Sequence, residues 1–364
     1  MTRAFVLAAR RTAVMPQGGA LAALAIHELA APVILACLSD AGIAPDRVDE
    51  VILANALGAG GNPARMAALA AGLPGRVAGL TIDRQCAGGL DAIGLAAALV
   101  GAGAARVVVA GGAESHSRRP LRLAQAPGRA PVPYDRPPFA PWPDRDPDPT
   151  AAAAALADRL GLGRAAQDGF AVGSHTRALA ARDALAAEIV PLPGADADGF
   201  TRALTPATAA RAKPLSGSVT TATTAVAADG AAFAVVVAPD IAARAPRALR
   251  IAACVTLGAD PAEPGLAPVP AIARALRAAG LVPSDLDRAE IMEAYAAQAM
   301  ACIAGAGLDP ARVNVRGGAL ARGHPIGASG AILAVRLVHD LGRGAGLAAI
   351  AAAGGIGTAL VLRA

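Results

Sequence analysis

Aromatic side chains are scarce in this chain of 364 residues, since Phe, Trp and Tyr together make up 2% of it. Lysine is scarcer still: Lys213 is the only one, and arginine carries the remaining basic charge. A core with so few rings must be built from Ala, Leu, Val and Ile, which the 55% hydrophobic content supplies. Charged residues make up only 17%, which excludes a disordered chain.

The net charge of +5 agrees with an anionic partner, but the arginines are scattered along the sequence. No basic run interleaved with aromatic residues occurs, which argues against nucleic-acid binding. A small phosphate-bearing ligand agrees equally well with this charge.

The four cysteines lie far apart, and neither a CxxC pair nor a His/Cys spacing typical of zinc occurs. They are Cys37, Cys86, Cys254 and Cys302. A reduced, cytoplasmic protein without a bound metal is therefore expected. Arg10 and Arg11 close the short apolar run at the start, so no secretory signal is indicated. Three glycines interrupt the apolar stretch 346–362, which predicts two buried strands and a turn rather than a membrane span.

Short apolar runs alternate with alanine-rich helical stretches, which is the pattern of an α/β protein. In the first part, the predicted strands lie near residues 4–9, 50–57, 80–83 and 106–110, and the predicted helices near 24–41, 64–71 and 87–100. The later part repeats this outline, with strands near 251–256, 290–293, 347–352 and 358–362 and helices near 269–279, 294–304 and 326–341. Two similar halves indicate a duplication, with a site where the halves meet.

The middle of the chain has a different composition. Prolines are dense and charges cluster at residues 118–149, which predicts an irregular excursion, and helices near 151–160 and 165–187 follow. A threonine-rich piece then leads to a strand near 232–238. The predicted organisation is a first half from residues 1–117 with 214–245, an inserted lid from 118–213, and a second half from 246–364.

Cys86 is the first candidate for chemistry, because it lies between a predicted strand and a buried helix in Asp83-Arg84-Gln85-Cys86-Ala87-Gly88-Gly89. The positive end of the following helix is expected to lower the pKa of its thiol and favour thiolate. The two glycines allow a substrate to approach the backbone. The alternative is a small buried core cysteine.

His324 is the second candidate and lies in Arg322-Gly323-His324-Pro325-Ile326-Gly327. Pro325 fits the first turn of a helix, which would hold His324 at a helix start facing a cavity. A histidine with a cysteine elsewhere in the chain is the minimal thiol-nucleophile pair. The alternative is a turn histidine that is hydrogen bonded to the backbone.

Two further segments carry polar groups at ends of predicted strands. Residues 111–115, Gly-Gly-Ala-Glu-Ser, are interpreted mainly as a tight turn after a very apolar strand, with backbone donors as the alternative. In Met292-Glu293-Ala294-Tyr295, Glu293 either accepts a hydrogen bond from a site group or occupies a favourable helix start.

Together these segments resemble the thiolase superfamily over nearly the whole chain. Six segments match its signatures in order and spacing: residues 83–93, 111–115, 229–232, 287–298, 314–330 and 346–359. The resemblance implies a thiolase-like α/β fold of two helix–sheet–helix halves with an inserted lid. It also implies an acyltransferase that uses coenzyme A thioesters as substrates and holds no permanent cofactor, and a homodimer or possible tetramer.

The resemblance assigns roles to residues of the site. Cys86 would attack the thioester carbonyl, His324 would take the thiol proton, and the backbone N–H groups of Cys86 and Ala353 would form an oxyanion hole. Substrate contacts are implied for five further positions, namely Met292, Glu293, Tyr295, Ala225 and Gly323.

Two positions depart from the family pattern. Alanine stands at 351, where the family's second cysteine moves the proton at the alpha carbon of the acyl-CoA. Met292 stands where an asparagine holds a water. The coenzyme-binding stretch Thr223-Thr224-Ala225 also departs, so a different thioester carrier stays an alternative.

These departures leave three hypotheses. The first is an acyltransferase with altered or weak Claisen chemistry, because a methyl group at 351 cannot move a proton. The second is a fully active acetyl-CoA or 3-ketoacyl-CoA acyltransferase with another base near Ala351. The third is a degenerate, non-catalytic partner subunit.

Overall fold

One mixed β-sheet forms the centre of the molecule in the computed structural model, which describes residues 4–364. The strands are β1 (Phe5–Thr12), β2 (Met15–Pro16), β3 (Glu50–Ala54), β4 (Ala78–Ile82), β5 (Val107–Ser115), β6 (Arg122–Ala124), β7 (Val132–Tyr134), β8 (Ile189–Val190), β9 (Pro214–Ser216), β10 (Val219–Thr220), β11 (Ala228–Val237), β12 (Leu249–Gly258), β13 (Leu286–Ile291), β14 (Ala345–Ala352) and β15 (Ile356–Arg363). The helices are α1 (Ile26–Ala41), α2 (Pro63–Ala70), α3 (Gly88–Gly101), α4 (Pro149–Arg159), α5 (Arg164–Ala180), α6 (Arg182–Ala186), α7 (Pro206–Ala210), α8 (Pro239–Ala242), α9 (Pro268–Ala279), α10 (Ala296–Gly305), α11 (Ala319–Arg322) and α12 (Ile326–Asp340).

The sheet has two similar parts joined edge to edge, in the order β13-β14-β15-β12-β1-β11-β5-β3-β4. In the first part β1 pairs antiparallel with β11, β11 antiparallel with β5, and β5 parallel with β3. In the second part β12, β15, β14 and β13 repeat these three pairings in the same sequence. The halves meet where Phe5 and Val6 of β1 pair with Arg250 and Leu249 of β12. The expected thiolase-like α/β architecture is confirmed, while the exact domain boundaries at 117, 213 and 245 stay a prediction.

Helices cover both faces of the sheet. Helices α3 and α12 pack together in a core with apolar residues from both parts of the sheet. Glycine at position 89 lets the two helix axes approach closely. A Cβ added there would lie only 2.7 Å from the backbone of Gly327 and Ala331. Helices α1 and α2 share a second apolar core with strands of the first part, and α9 and α10 share a third with strands of the second part. The equivalent helices α3 and α12 therefore begin close together in the middle of the molecule.

Local capping sets several helix starts earlier than the apolar pattern predicted. Helix α2 begins at Pro63 because the side chain of Asn62 accepts the N–H of Arg65. Helix α4 begins at Pro149 because the carboxylate of Asp148 accepts two backbone N–H groups. No helix among residues 4–364 is long and apolar enough to cross a membrane.

Three predicted elements differ from the structure. Residues 111–115 are a continuation of β5 and not a turn, because Gly111 and Gly112 let the strand pass directly against β11 and α12. The strand predicted at 290–293 ends at Ile291, so Met292 and Glu293 lie in the connection to α10. The region 118–149 is not wholly irregular, since β6 and β7 pair antiparallel within it.

The inserted region is attached to the core at Glu188. This buried carboxylate bridges Arg11 of β1 at 2.6 Å and Arg336 of α12 at 2.5 Å. Immediately after it, Ile189 and Val190 pair in parallel with the end of β1. The paired side chains are fully buried, so separating them would leave uncompensated charges in the core, and this holds the end of the inserted region against both β1 and α12.

Candidate active site

Cys86 lies in a single 3₁₀ turn between the end of β4 and the start of α3. The preceding residue, Gln85, has φ +44°, a left-handed conformation that is uncommon outside glycine. Its backbone N–H donates to the carboxylate of Asp83 at 2.8 Å, which stabilises this tight turn. Backbone strain of this kind is found where the surrounding structure holds a functional group in place.

His324 lies just before α12, in the position predicted from Pro325. Its backbone N–H donates to the carbonyl of Val226 at 2.8 Å, so the loop before β11 holds the residue. Its imidazole Nε2 lies 3.2 Å from Sγ of Cys86. Because α3 and α12 are packed side by side, two residues 238 positions apart come within hydrogen-bond distance.

Ser329 determines which ring nitrogen of His324 carries the proton. Its hydroxyl donates to the carbonyl of Pro325 at 3.0 Å and lies 2.6 Å from Nδ1 of His324. A hydroxyl has one proton, and we infer that Ser329 gives it to the carbonyl of Pro325 and accepts from Nδ1–H. Nε2 then has a free lone pair directed at the thiol of Cys86. No role for Ser329 was predicted from the sequence.

Burial keeps both members of the Cys86–His324 pair neutral. Desolvation raises the pKa of the Cys86 thiol to about 12, and the nearby carboxylates of Glu114 and Asp83 add to the effect. Desolvation lowers the pKa of His324 to about 3. The expectation of a lowered cysteine pKa is therefore wrong for the ligand-free site, because desolvation outweighs the helix terminus. The pair rests as thiol and neutral imidazole, ready to transfer a proton to Nε2.

Glu114 joins the loop after β3 to the start of α12. Its buried carboxylate accepts hydrogen bonds from Asn55 Nδ2 at 2.7 Å, Leu57 N–H at 3.2 Å and Gly327 N–H at 3.0 Å. Burial raises the pKa of this carboxyl to about 7, while the backbone donors oppose the rise. Glu114 thereby fixes the helix that begins beside His324.

Cys86 and His324 open into a cavity of about 770 Å³. Its walls come from the first half, the inserted region and the second half. Among the predicted site residues, Cys86, His324, Tyr295, Ala225, Ala351 and Ala353 line it. Ala353 follows the last pair of the β14–β15 hairpin, Ala352 with Ile356, so its backbone lies in the turn beside the cavity.

Three predicted substrate contacts, Met292, Glu293 and Gly323, do not line the cavity within the described residues. Met292 is fully buried in the core shared by α3 and α12. The carboxylate of Glu293 accepts from Ser174 Oγ at 2.7 Å and Asn314 Nδ2 at 2.8 Å, so it faces α5. Gly323 packs behind the site, where an added Cβ would lie 2.9 Å from that of Ala228. These three residues lie outside the lining of the cavity, and their contacts with a substrate stay a prediction.

His116 also lines the cavity, and the sequence analysis did not identify it. It follows β5 directly, and the error in reading residues 111–115 as a turn concealed where that strand ends. Four arginines from the inserted region lie in the same wall together with four carboxylates, namely Arg119, Arg122, Arg136 and Arg159 with Asp83, Asp135, Asp146 and Glu263. Within residues 4–364, no group of three or more His, Cys, Asp or Glu side chains is arranged to hold a metal ion.

The chain is similar to known proteins over its whole length. The model of the family "Thiolase, N-terminal domain" matches residues 4–240, and that of "Thiolase, C-terminal domain" matches residues 245–364. The acetyl-CoA acetyltransferase of Cupriavidus necator is 41% identical, covering 100% of this chain and 99% of its own. That of Pseudomonas aeruginosa is 40% identical, covering 98% of each. The crystal structure of the Bacillus anthracis acetyl-CoA acetyltransferase superposes with a TM-score of 0.92 at 35% identity, covering 100% of this chain and 99% of that one.

Proposed function

The chain belongs to the thiolase family of acyltransferases, and from that premise we propose that it transfers acyl groups from coenzyme A thioesters through a covalent thioester on Cys86. The observation that carries the proposal is the 3.2 Å distance between Cys86 Sγ and His324 Nε2 at the wall of the cavity. A thiol with an oriented base beside it is the arrangement that nucleophilic catalysis by cysteine requires.

The acylation step follows from the resting state of the pair. Sγ of Cys86 attacks the thioester carbonyl carbon while its proton passes to Nε2 of His324. The bond between that carbon and the sulfur of coenzyme A then breaks, and His324 returns the proton to the departing thiolate. We propose that the backbone N–H groups of Cys86 and Ala353 stabilise the oxyanion formed in between.

The cavity has the composition that a coenzyme A thioester requires. Apolar side chains form most of its wall, and four arginines of the inserted region line the same space. Arg119, Arg136 and Arg159 also pair with carboxylates of this wall, so a phosphate would share or replace those ion pairs. Arginine binds phosphate through bidentate, charge-assisted hydrogen bonds, and coenzyme A carries phosphate groups. The carrier is therefore proposed to extend past the inserted region, with its acyl end at Cys86.

The step that follows acylation is expected to differ from that of a family member with a second catalytic cysteine at position 351. Ala351 lines the cavity but offers only a methyl group, so we propose that no thiol at this position assists carbon–carbon bond formation. Weakened Claisen chemistry is one consequence. A fully active acetyl-CoA C-acetyltransferase is the second candidate. It is favoured by the names of the relatives of this chain in Cupriavidus necator and Pseudomonas aeruginosa.

A homodimer is proposed as the functional assembly. Strand β4 ends the sheet, and no further strand among residues 4–364 pairs with its outer edge. Leu80 in this strand is 41% exposed, and an open edge with an exposed apolar residue is a site for pairing with another chain. Light scattering on the purified protein should give the mass of two chains, and a monomer at micromolar concentration would contradict the proposal.

Intact-mass spectrometry after incubation with acetyl-CoA tests the proposed function. We expect one acetyl group on the native protein and none on Cys86→Ala. Cys254→Ala is the matched control, because this cysteine is outside the lining of the cavity and should leave acetylation unchanged. Equal acetylation of Cys86→Ala would show that the nucleophile is another residue. Absence of acetylation in the native protein alone, restored by a co-purifying protein, would support the partner-subunit hypothesis instead.

A further inference from the structure

His116 presents a second imidazole to the cavity that holds Cys86 and His324. Its hydrogen bonding differs from that of the other buried histidines. His175, His324 and His339 each have a ring nitrogen within hydrogen-bond distance of a protein atom. In the part of the chain from residue 4 onward, the ring of His116 has no such partner, although it is partly buried. Its nitrogens are thus free to contact a molecule that enters the cavity.

Forming a carbon–carbon bond between two acyl thioesters needs a base that the acylation step does not need. A proton must leave the carbon next to the carbonyl of the second thioester before that carbon can act as a nucleophile. The ring of His324 faces Ser329 through Nδ1 and the sulfur of Cys86 through Nε2, so its free lone pair is directed at the acylated atom rather than at the carbon of an incoming thioester. Ala351, which lines the same cavity, has no ionisable group.

Other polar groups of the cavity are engaged elsewhere. The hydroxyl of Tyr295 is 3.1 Å from the hydroxyl of Thr150, and burial raises its pKa above the ordinary range. The lining carboxylates pair with arginines, namely Glu263 with Arg159 at 2.7 Å, Asp135 with Arg119 at 3.3 Å and Asp146 with Arg136 at 3.4 Å. Asp83 accepts the backbone N–H of Gln85 at 2.8 Å. Arginines stay protonated and cannot accept a proton. This leaves His116 as the imidazole in the cavity that is not engaged.

We propose that His116 is the catalytic acid/base that moves the alpha proton of the second acyl thioester. This inference rests on the proposed function. In the step, a ring nitrogen of His116 takes the proton and the electron pair of the C–H bond forms the new bond to the carbonyl carbon on Cys86. The bond between that carbon and Sγ of Cys86 breaks, and the thiolate recovers the proton from His116. Thiolysis runs through the same step in reverse.

The surroundings of His116 suit a base that must become charged during the reaction. Burial lowers the pKa of His116 to about 4, while the carboxylate of Asp229 acts in the opposite direction. The resting imidazole is therefore neutral at pH 7 and able to accept a proton. Asp229 is buried and accepts the backbone N–H of Ser117 at 3.0 Å, so it fixes the chain beside His116. The same carboxylate stabilises the imidazolium once it forms.

Exchange of the methyl protons of acetyl-CoA for deuterium in D₂O measures alpha-proton transfer directly. We expect His116→Gln to lower alpha-proton exchange far more than acetylation of Cys86, because acetylation uses His324. Exchange and formation of acetoacetyl-CoA should fall about a hundred- to ten-thousand-fold, the range for loss of general acid–base catalysis. His27→Gln is the control, since this histidine is in α1 and outside the lining of the cavity.

The outcomes separate this inference from the proposed function. Native protein that is not acetylated contradicts the proposed function itself. Native exchange rates in His116→Gln, or an acetylated native protein that exchanges no alpha proton, contradict only the role of His116. If His116→Gln also slows acetylation, His116→Gly with added imidazole decides. Recovery of exchange by imidazole supports a base at this position, and no recovery refutes it.

Discussion

Replacing Ser329 with alanine tests the proton arrangement on which the acylation mechanism depends. The native hydroxyl accepts from His324 Nδ1 at 2.6 Å and donates to the carbonyl of Pro325 at 3.0 Å. In Ser329→Ala, Nδ1–H has no acceptor inside a buried site. The imidazolium that forms as Cys86 loses its proton has two N–H donors, and one of them would stay unsatisfied.

The expected effect follows from the free energy of an unsatisfied buried donor, which is about 1–3 kcal/mol. A rise of about 1.36 kcal/mol in the barrier slows a reaction tenfold. Acetylation of Cys86 should therefore be roughly 5- to 150-fold slower in Ser329→Ala. The alternative tautomer, with the proton on Nε2, would lead to a loss in the same direction because N–H would then face the thiol.

Time-resolved intact-mass spectrometry of single-turnover acetylation measures this rate without the later steps. Ser284→Ala is the matched control, since this serine is exposed and remote from the cavity. Thermal unfolding of both variants shows whether the fold is intact. An acetylation rate in Ser329→Ala within twofold of the native rate would refute the assignment of the Nδ1–H tautomer.

Four further predictions concern stability and the resting state of the thiol. Gly89→Ala should lower the free energy of unfolding in urea by about 1–3 kcal/mol, because its Cβ would crowd the backbone of α12. Gly169→Ala, in an exposed and open position of α5, should instead raise it by about 0.5–1 kcal/mol, and a fall would contradict the helix assignment. Glu188→Ala should lower it by about 3–5 kcal/mol, because two buried guanidinium groups lose their shared carboxylate, and a loss below about 1 kcal/mol would count against this. Because burial raises the pKa of Cys86 to about 12, the thiol form persists below that pH. Alkylation of Cys86 by iodoacetamide should rise steadily through about pH 9, whereas a plateau below about pH 8 would indicate a resting thiolate.

The regular elements were largely predictable because their signals are local. The apolar run that follows Cys86 predicts the buried helix α3, and Pro325 predicts a helix start directly after His324. The turn predicted at residues 111–115 was wrong because glycine has two uses that look alike in a sequence. At Gly112 it gives space for the backbone of Gly327, and it does not reverse the chain.

Some features of the site were likewise predictable from the sequence and others were not. Cys86, His324 and the alanine at 351 were identified from motifs, and all three line one cavity. The lowered pKa expected for Cys86 was wrong, since burial at the meeting point of two helices cannot be read from neighbours in sequence. The roles of Ser329 and His116 depend on where their side chains point, so the motifs did not reveal them.

The sequence by itself determined the α/β class and was enough to predict two similar halves, the proposed nucleophile and its histidine, because periodicity and short motifs are properties of neighbouring residues. Only the tertiary structure determined that the starts of α3 and α12 adjoin, that desolvation keeps the pair neutral, and that Ser329 orients the ring. It also determined that Glu293 faces away from the cavity while His116 faces into it. These are consequences of contacts between residues distant in the chain, and the free energy of each depends on burial that exists only after folding.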